Sequence, residues 1–141
     1  WQYWTPQGWS DDETEAAAAM SGVVDEFSVT YLNGQYLLLT QDSSTPFSDQ
    51  IHAYTSCLPY GPFGDPKPVY QMPEIGPGGS YEDADVIAYN AHAHASLSDE
   101  GSLLLSYNVN SMDTGVAENA DNYRDPSIYR PRFVRFDLAW P

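Results

Sequence analysis

Apolar and polar side chains alternate with period two along Phe27-Ser28-Val29-Thr30-Tyr31-Leu32, the mark of a β-strand whose two faces meet different surroundings. Asn33-Gly34 follows, a pair that tolerates the positive φ angles of a two-residue hairpin turn. Gln35-Tyr36-Leu37-Leu38-Leu39-Thr40 then returns as a strand, and its unbroken leucines predict burial on both faces near its middle. Past a polar loop from Gln41 to Gln50, Ile51 to Cys57 reads as a third strand. Pro59, Gly61, Pro62, Gly64, Pro66 and Pro68 punctuate the next stretch. Val69 to Met72 is a short fourth strand whose proline flank suits a sheet edge. The pattern then restarts: Val86 to His94 is strand-like, Asp99-Glu100-Gly101 turns, Ser102 to Val109 returns, and Arg132 to Leu138 alternates strictly. The Leu37–Leu39 triplet recurs as Leu103–Leu105. The one helix candidate is Asp11 to Met20, with Asp11 or Asp12 as cap, acidic residues in its first turn and alanines at 16–19. A loop carrying a single helical turn suits the same residues.

Two units of hairpin plus outer strands in tandem predict an all-β, β-propeller-like fold, about two blades of a larger ring. Residues 1–9 are expected to be an outer strand of a preceding blade, 23–73 a blade, and 84–139 a last, incomplete blade. Two units cannot close a ring or cover their own edges. A second chain or a further N-terminal portion is therefore expected to complete it. A compact two-sheet sandwich built from the same hairpins is the alternative.

Composition narrows the partners. Hydrophobic residues make up 42% and aromatics 14% of the 141 residues, so the chain can build a core. The formal net charge is −15, with Lys67, Arg124, Arg130, Arg132 and Arg135 as the basic residues. Such a chain repels phosphate backbones, which argues against nucleic acid and anionic membrane and for neutral or cationic ligands, sugars among them. Solubility alone would also explain the acidity. Cys57 is the single cysteine, so no internal disulfide forms. It is expected as a buried thiol or paired with another chain. No apolar run approaches the ~20 residues of a membrane helix. Low Lys with abundant Tyr, Trp and Ser suggests a secreted protein.

Three segments suggest a family. Tyr89-Asn90-Ala91-His92-Ala93-His94, Leu104-Leu105-Ser106-Tyr107-Asn108-Val109-Asn110 and Tyr129-Arg130-Pro131-Arg132-Phe133 together resemble the C-terminal end of a domain-of-unknown-function family of secreted microbial proteins that includes endo-D-arabinanases. Ser56-Cys57-Leu58-Pro59-Tyr60-Gly61-Pro62-Phe63 is similar to a segment of five-bladed propeller glycosidases. The resemblance covers residues 26–138. It implies a five-bladed ring, glycoside hydrolysis of arabinan-like polysaccharide, and catalytic acids lying mainly in blades that precede this chain. Ala95 stands where the family pattern has proline, which weakens an exact transfer of the site.

Glycosidases need two carboxylates flanking the scissile bond. Glu26, just before the first strand of its unit, is the best candidate for an acid or sugar-binding residue. Asp25 shares its position, and Asp42 follows the second strand. Each is also an ordinary strand-flanking acid. His92 and His94, two apart on a strand, face one side and can hydrogen-bond sugar hydroxyls or orient a carboxylate, His94 foremost because the family segment ends there. A buried His satisfied by backbone is the plainer reading. A zinc site would need His52 to join them through the fold, and no metal is expected. Asn108 and Asn110 share a face and suit sugar hydroxyls, although Asn110 reads better as satisfying buried backbone. Arg130 and Arg132 share a face and are expected in ion pairs, Arg130 alternatively on a ligand oxygen. Trp1, Trp4 and Trp9 can stack on sugar or pack between blades. Asp11, Asp12, Glu13 and Glu15 form a weak calcium candidate or a solvated acidic face, so no cofactor is expected.

The leading expectation is a carbohydrate-active protein, part of a glycoside hydrolase, with this chain forming substrate-cleft wall through Glu26, His92, His94, Asn108 and Arg130. The alternative is a non-catalytic carbohydrate-binding or self-assembling structural propeller.

Overall fold

The computed structural model describes residues 1–99, 101–113, 115 and 120–137. Strands form close to where the alternation predicts them. A short hairpin of β1 (Tyr3–Thr5) and β2 (Gly8–Ser10) leads into β3 (Phe27–Leu32), β4 (Gln35–Gln41), β5 (Gln50–Ser56) and β6 (Lys67–Gln71), then β7 (Val86–Ala93), β8 (Ser102–Ser111) and β9 (Pro131–Asp137). Each strand pairs antiparallel with its sequence neighbour, giving sheets β1-β2, β3-β4-β5-β6 and β7-β8-β9. The fold is all-β and propeller-like: two up-and-down, blade-like sheets packed together, with no closed barrel among the described residues. Asn33 (φ 50°) and Gly34 (φ 85°) take left-handed conformations at the β3–β4 turn, which only residues tolerant of positive φ allow.

The core lies between the two sheets. Leu39 and Ile51 from the first, with Met72 just past β6, meet Val86, Ala88, Leu105, Tyr107 and Val109 from the second. Leu37, Ala53 and Leu103 extend the same layer. Strand β7 lies against β3 and β4. Two hydrogen bonds staple this seam: Gln41 Nε2 donates to the Ala88 carbonyl at 3.0 Å, and the Ala93 amide donates to Ser28 Oγ at 2.9 Å. Leu38 points the opposite way and is also buried. Over that opposite face the Val24 amide donates to Thr40 Oγ1 at 3.3 Å, and Tyr54 donates its hydroxyl to the Gly22 carbonyl at 3.2 Å. The leucine triplet is thus buried on both faces, as its sequence predicts.

Three features differ from the alternation. Phe27, Val29 and Tyr31 of β3 are 45%, 38% and 63% exposed, while Ser28 of the same strand bonds the second sheet. The polar set faces inward because it supplies a backbone partner, and the apolar set is left uncovered. Of the two readings of residues 11–20, the loop with a single helical turn is the one that forms, a 3-10 turn, Glu13–Glu15, capped by Asp12, whose Oδ1 accepts from the Thr14 amide at 2.9 Å. Ala16 is extended, and the Ala17 amide donates to the Trp4 carbonyl at 2.9 Å, so a tertiary bond takes the donor a helix would use. Trp1 to Trp4 contributes to β1, which pairs with β2 and with no strand of the other two sheets among the described residues. A single helical turn, α1 (Asp121–Arg124), precedes β9. Glu100 of the predicted 99–101 turn, and residues 138 and 139 of the predicted last unit, lie outside the described residues.

A polar network ties the β6–β7 loop to the second sheet. Glu74, buried, accepts from Tyr107 Oη at 2.8 Å through Oε2 and from Arg132 Nε at 3.0 Å through Oε1. Arg132 Nη2 donates to Tyr81 Oη at 2.8 Å and to the Ser127 carbonyl at 3.1 Å, and Nη1 donates to the Arg130 carbonyl at 3.1 Å. Burial, then the neighbouring Tyr70 and Glu74, holds the Tyr107 hydroxyl protonated far above the usual tyrosine range. Among the described residues no buried side-chain polar atom lacks a partner.

Candidate functional site

The second sheet turns one face to the first and leaves the other open. Along the open face, register places Tyr89 beside Asn108 and Pro131, and His92 beside Ser106 and Phe133. His94 follows beside Leu104, whose carbonyl accepts its amide at 2.8 Å. In a regular strand Tyr89 and His92 would face opposite ways. A β-bulge between them inserts one residue, and Asn90 absorbs it at φ 61°, a conformation asparagine tolerates better than most residues. The tyrosine and both histidines therefore share this face.

A recess of about 190 Å³ opens on it, lined by Tyr89, Asn108, Val109, Tyr129, Arg130 and Pro131. Two tyrosine rings, an amide and a guanidinium meet there. The volume falls below the roughly 300–1,000 Å³ of pockets for drug-sized ligands, so it suits one small moiety. Burial, then the nearby Tyr129 and Glu26, pushes the Tyr89 hydroxyl above the ordinary tyrosine value. It therefore remains a neutral hydrogen-bond donor at physiological pH. The same coupling places Glu26 within electrostatic reach of Tyr89, and Glu26 is exposed at the start of β3.

Arg130 precedes β9, outside its alternation, and so parts from Arg132. Arg132 turns inward to Glu74, whereas Arg130 lines the open recess. The shared face expected from their spacing is not what forms. Asp125 stands near Arg130: hydrogen bonds from Ser127, then to a lesser degree the Arg130 charge, hold its carboxyl below the usual aspartate range.

The remaining candidates are placed as follows. His94 Nε2 lies 2.7 Å from Ser106 Oγ, and His92 Nδ1 lies 3.4 Å from the Asn90 carbonyl; both rings are half-buried, and neither lines the recess. Asn110 Oδ1 accepts from the Ser111 amide at 2.9 Å, a local backbone role. His52 does not join the other histidines: it sits on the first sheet, its Nδ1 3.8 Å from Asp42 Oδ1. Among the described residues no cluster of three or more His, Cys, Asp or Glu has metal-site geometry. Asp12 caps the 3-10 turn, and Glu15 accepts from Ser10 Oγ at 2.5 Å. Asp25 is exposed. Cys57 is an exposed free thiol rather than a buried one, because it falls just past the end of β5. Val109, a core residue of β8, also borders the recess; besides it, Tyr89, Tyr129 and Pro131 are the recess residues that spacing did not single out. The bulge hides the first, and the other two lie where strand periodicity begins.

Asp42 is bound into its own turn. Its Oδ2 accepts from Ser44 Oγ at 2.5 Å and Ser48 Oγ at 3.0 Å. These bonds, the Ser44 hydroxyl first and the His52 charge last, outweigh burial and hold its carboxyl below the ordinary value of 3.8. A depressed folded-state value means the unfolded chain binds the proton more readily, so this contribution is present above about pH 4 and lost as pH falls through the folded value. Asp42→Asn is expected to flatten the acid limb of a melting-temperature profile relative to the parent chain. Parallel profiles below pH 4 would show that the turn contributes nothing to acid stability.

The comparisons with known proteins agree with the architecture. A crystal structure of a "putative hydrolase" from Bacteroides ovatus superposes with a TM-score of 0.70 at 24% identity, covering 99% of this chain and 36% of that one. At that identity the likeness is one of fold, and the present chain spans about a third of the longer protein. No curated protein matches. A family described as a domain of unknown function, DUF5005, matches residues 1–140. The match spans nearly the whole chain, and the chain belongs to the DUF5005 family of domains of unknown function.

Proposed function

We propose that this chain forms part of a secreted carbohydrate-active hydrolase and supplies a wall of its substrate cleft. The observation that carries the reading is the recess itself, where Tyr89, Asn108, Tyr129 and Arg130 converge with Glu26 in electrostatic reach. Flat tyrosine rings cover the apolar face of a sugar. The Asn108 amide donates and accepts at once, and Arg130 donates to ring or hydroxyl oxygens. The charge of −15 favours a neutral polysaccharide over a polyanion, and an arabinan-like chain is the substrate class proposed. His92 and His94 extend the same face beyond the recess.

Hydrolysis requires a proton donor to the leaving oxygen and a second carboxylate acting as base or nucleophile. Glu26 is assigned the first role. Among the described residues no carboxylate lines the recess, so the second acid is assigned to the second chain or further N-terminal portion proposed to complete the ring. The uncovered stripe of Phe27, Val29 and Tyr31 supports such a neighbouring blade, because an exposed apolar sheet face of this kind marks an interface. That stripe equally supports the second reading, a non-catalytic propeller whose blades assemble.

Titration with linear arabino-oligosaccharides tests the proposal. Arg130→Ala and Asn108→Ala are each expected to weaken binding about tenfold, the equivalent of about 1.4 kcal/mol. In the full-length protein, Glu26→Gln is expected to lower kcat more than it raises KM. Unchanged affinity in both recess variants would overturn the cleft-wall assignment. Saccharide binding without hydrolysis by the full-length protein would favour the non-catalytic reading.

A further inference from the structure

The β1–β2 hairpin carries a feature that the cleft does not use. Trp4 and Trp9 are directly opposed across the hairpin and so project from one face. Their rings meet edge-on, with centroids 5.8 Å apart. Tyr60, from the β5–β6 loop, stacks on Trp4 at 4.2 Å and meets Trp9 edge-on at 5.3 Å. Trp9 is thereby clamped by two rings, yet 54% of it stays exposed. A large side chain in a fixed orientation, with its ring in water, has lost its rotamer freedom without burying its surface. A ligand that covers the ring meets no further ordering cost there.

The polar neighbours indicate what covers it. Gln2 and Asp11 are the next residues outward on the same hairpin face as Trp4 and Trp9, and Gln2 Nε2 donates to Asp11 Oδ1 at 3.2 Å. Both are exposed. The carboxylate keeps further lone pairs, and the amide keeps a second N–H and its carbonyl oxygen. A flat apolar surface edged by a carboxylate–amide pair matches a pyranose or furanose ring, which offers a C–H face and hydroxyls at its rim. Phosphorylated or sulfated chains are disfavoured by Asp11 at this rim, by the acidic Asp12, Glu13 and Glu15 that follow it in the chain, and by the net charge.

We propose that Trp9, seated on Trp4 and Tyr60 and flanked by Gln2 and Asp11, is a binding platform for a neutral polysaccharide chain, separate from the recess on the second sheet. The choice of a carbohydrate as ligand rests on the function proposed above, but the platform does not depend on the recess. It would hold the polymer on the protein while another stretch of it occupies the cleft, and the gain comes from raised local concentration.

Affinity electrophoresis through immobilised arabinan, and through a neutral β-glucan as a second chain, tests this. The parent chain is expected to be retarded, and Trp9→Ala to lose at least about tenfold in affinity. Trp9→Phe, which keeps a smaller ring, is expected to fall between them. Trp9 is half exposed, so the variant is expected to fold, and an unchanged melting temperature checks it. Retardation that Trp9→Ala removes and Arg130→Ala leaves establishes the platform whatever becomes of the recess. Retardation that Arg130→Ala removes and Trp9→Ala leaves overturns the platform while sustaining the cleft. Three other results would also overturn it: no retardation of the parent chain, quenching of the tryptophan emission by choline in place of saccharide, or self-association that Trp9→Ala abolishes.

Discussion

Glu74→Ala is expected to lower the folding stability by about 3 kcal/mol, because it leaves the Arg132 guanidinium partly buried without its counter-charge. The side chains of Glu74 and Arg132 are 10% and 22% exposed. Residual hydration of the arginine keeps the effect at the low end of the 3–5 kcal/mol range for buried pairs. The loss has two parts. Tyr107 loses its acceptor while remaining 1% exposed, and an unsatisfied buried hydroxyl alone costs about 1–3 kcal/mol. Arg132 loses the carboxylate that orients it toward the Ser127 and Arg130 carbonyls. Glu74→Gln keeps an acceptor and is expected to cost less. Urea denaturation measures both, and the midpoint should fall with the slope unchanged if the transition remains two-state. A double-mutant cycle with Arg132→Met isolates the pair, and a coupling below about 0.5 kcal/mol would assign the loss to Tyr107 instead. The network also has a functional side. Arg132 holds the 127–130 segment, which delivers Tyr129 and Arg130 to the recess. Glu74→Ala should therefore weaken the saccharide binding proposed for the recess while leaving the binding proposed for Trp9 unaffected.

The strands were legible because their signal is local. The Asn33-Gly34 turn, the leucine runs of β4 and β8 and the strict alternation of β9 each determine an element from adjacent residues, and the structure has all of them close to the expected places. What escaped notice depends on partners remote in the chain. The alanine-rich run reads equally as helix or as a loop with one turn, and the choice falls to the loop because Trp4 supplies an acceptor for the Ala17 amide. Phe27, Val29 and Tyr31 read as a buried set until Ser28 is needed by Ala93. The recess was half legible. Asn108 and Arg130 were identifiable by chemistry, and both line it. Tyr89 was concealed by the Asn90 bulge, which changes the face it shares with His92. The spacing of Arg130 and Arg132 was misleading because β9 begins at Pro131, between them. No periodicity rule reports a bulge or a strand start to within one residue.

Leu39→Ala tests whether the two blade-like sheets form one cooperative unit. Leu39 is 0% exposed and shares one buried cluster with Ile51 of its own sheet, Met72 just past β6, and Val86, Leu105 and Tyr107 of the other sheet. Deleting its Cγ and two Cδ methyl groups leaves a cavity walled by two sheets, each held by its own ladder of hydrogen bonds. Such walls collapse poorly, so the cost is expected near about 4 kcal/mol, within the 2–5 kcal/mol range for this substitution. Leu38→Ala is the control. Leu38 is 3% exposed, but the opposite face it occupies is covered by the irregular Gly22–Val24 segment, attached through Thr40 and Tyr54. An irregular segment can move in to fill the space, so a cost nearer about 2 kcal/mol is expected. Native-state hydrogen exchange distinguishes the cooperative case from the alternative. If the sheets unfold together, Leu39→Ala lowers the protection of β4 and β8 amides by the same factor. If they are independent blades joined only through a completed ring, protection falls in β4 while β8 keeps its parent value. That second outcome would mean that the stability of each blade comes mainly from its own ladder and from whatever neighbours complete the proposed ring.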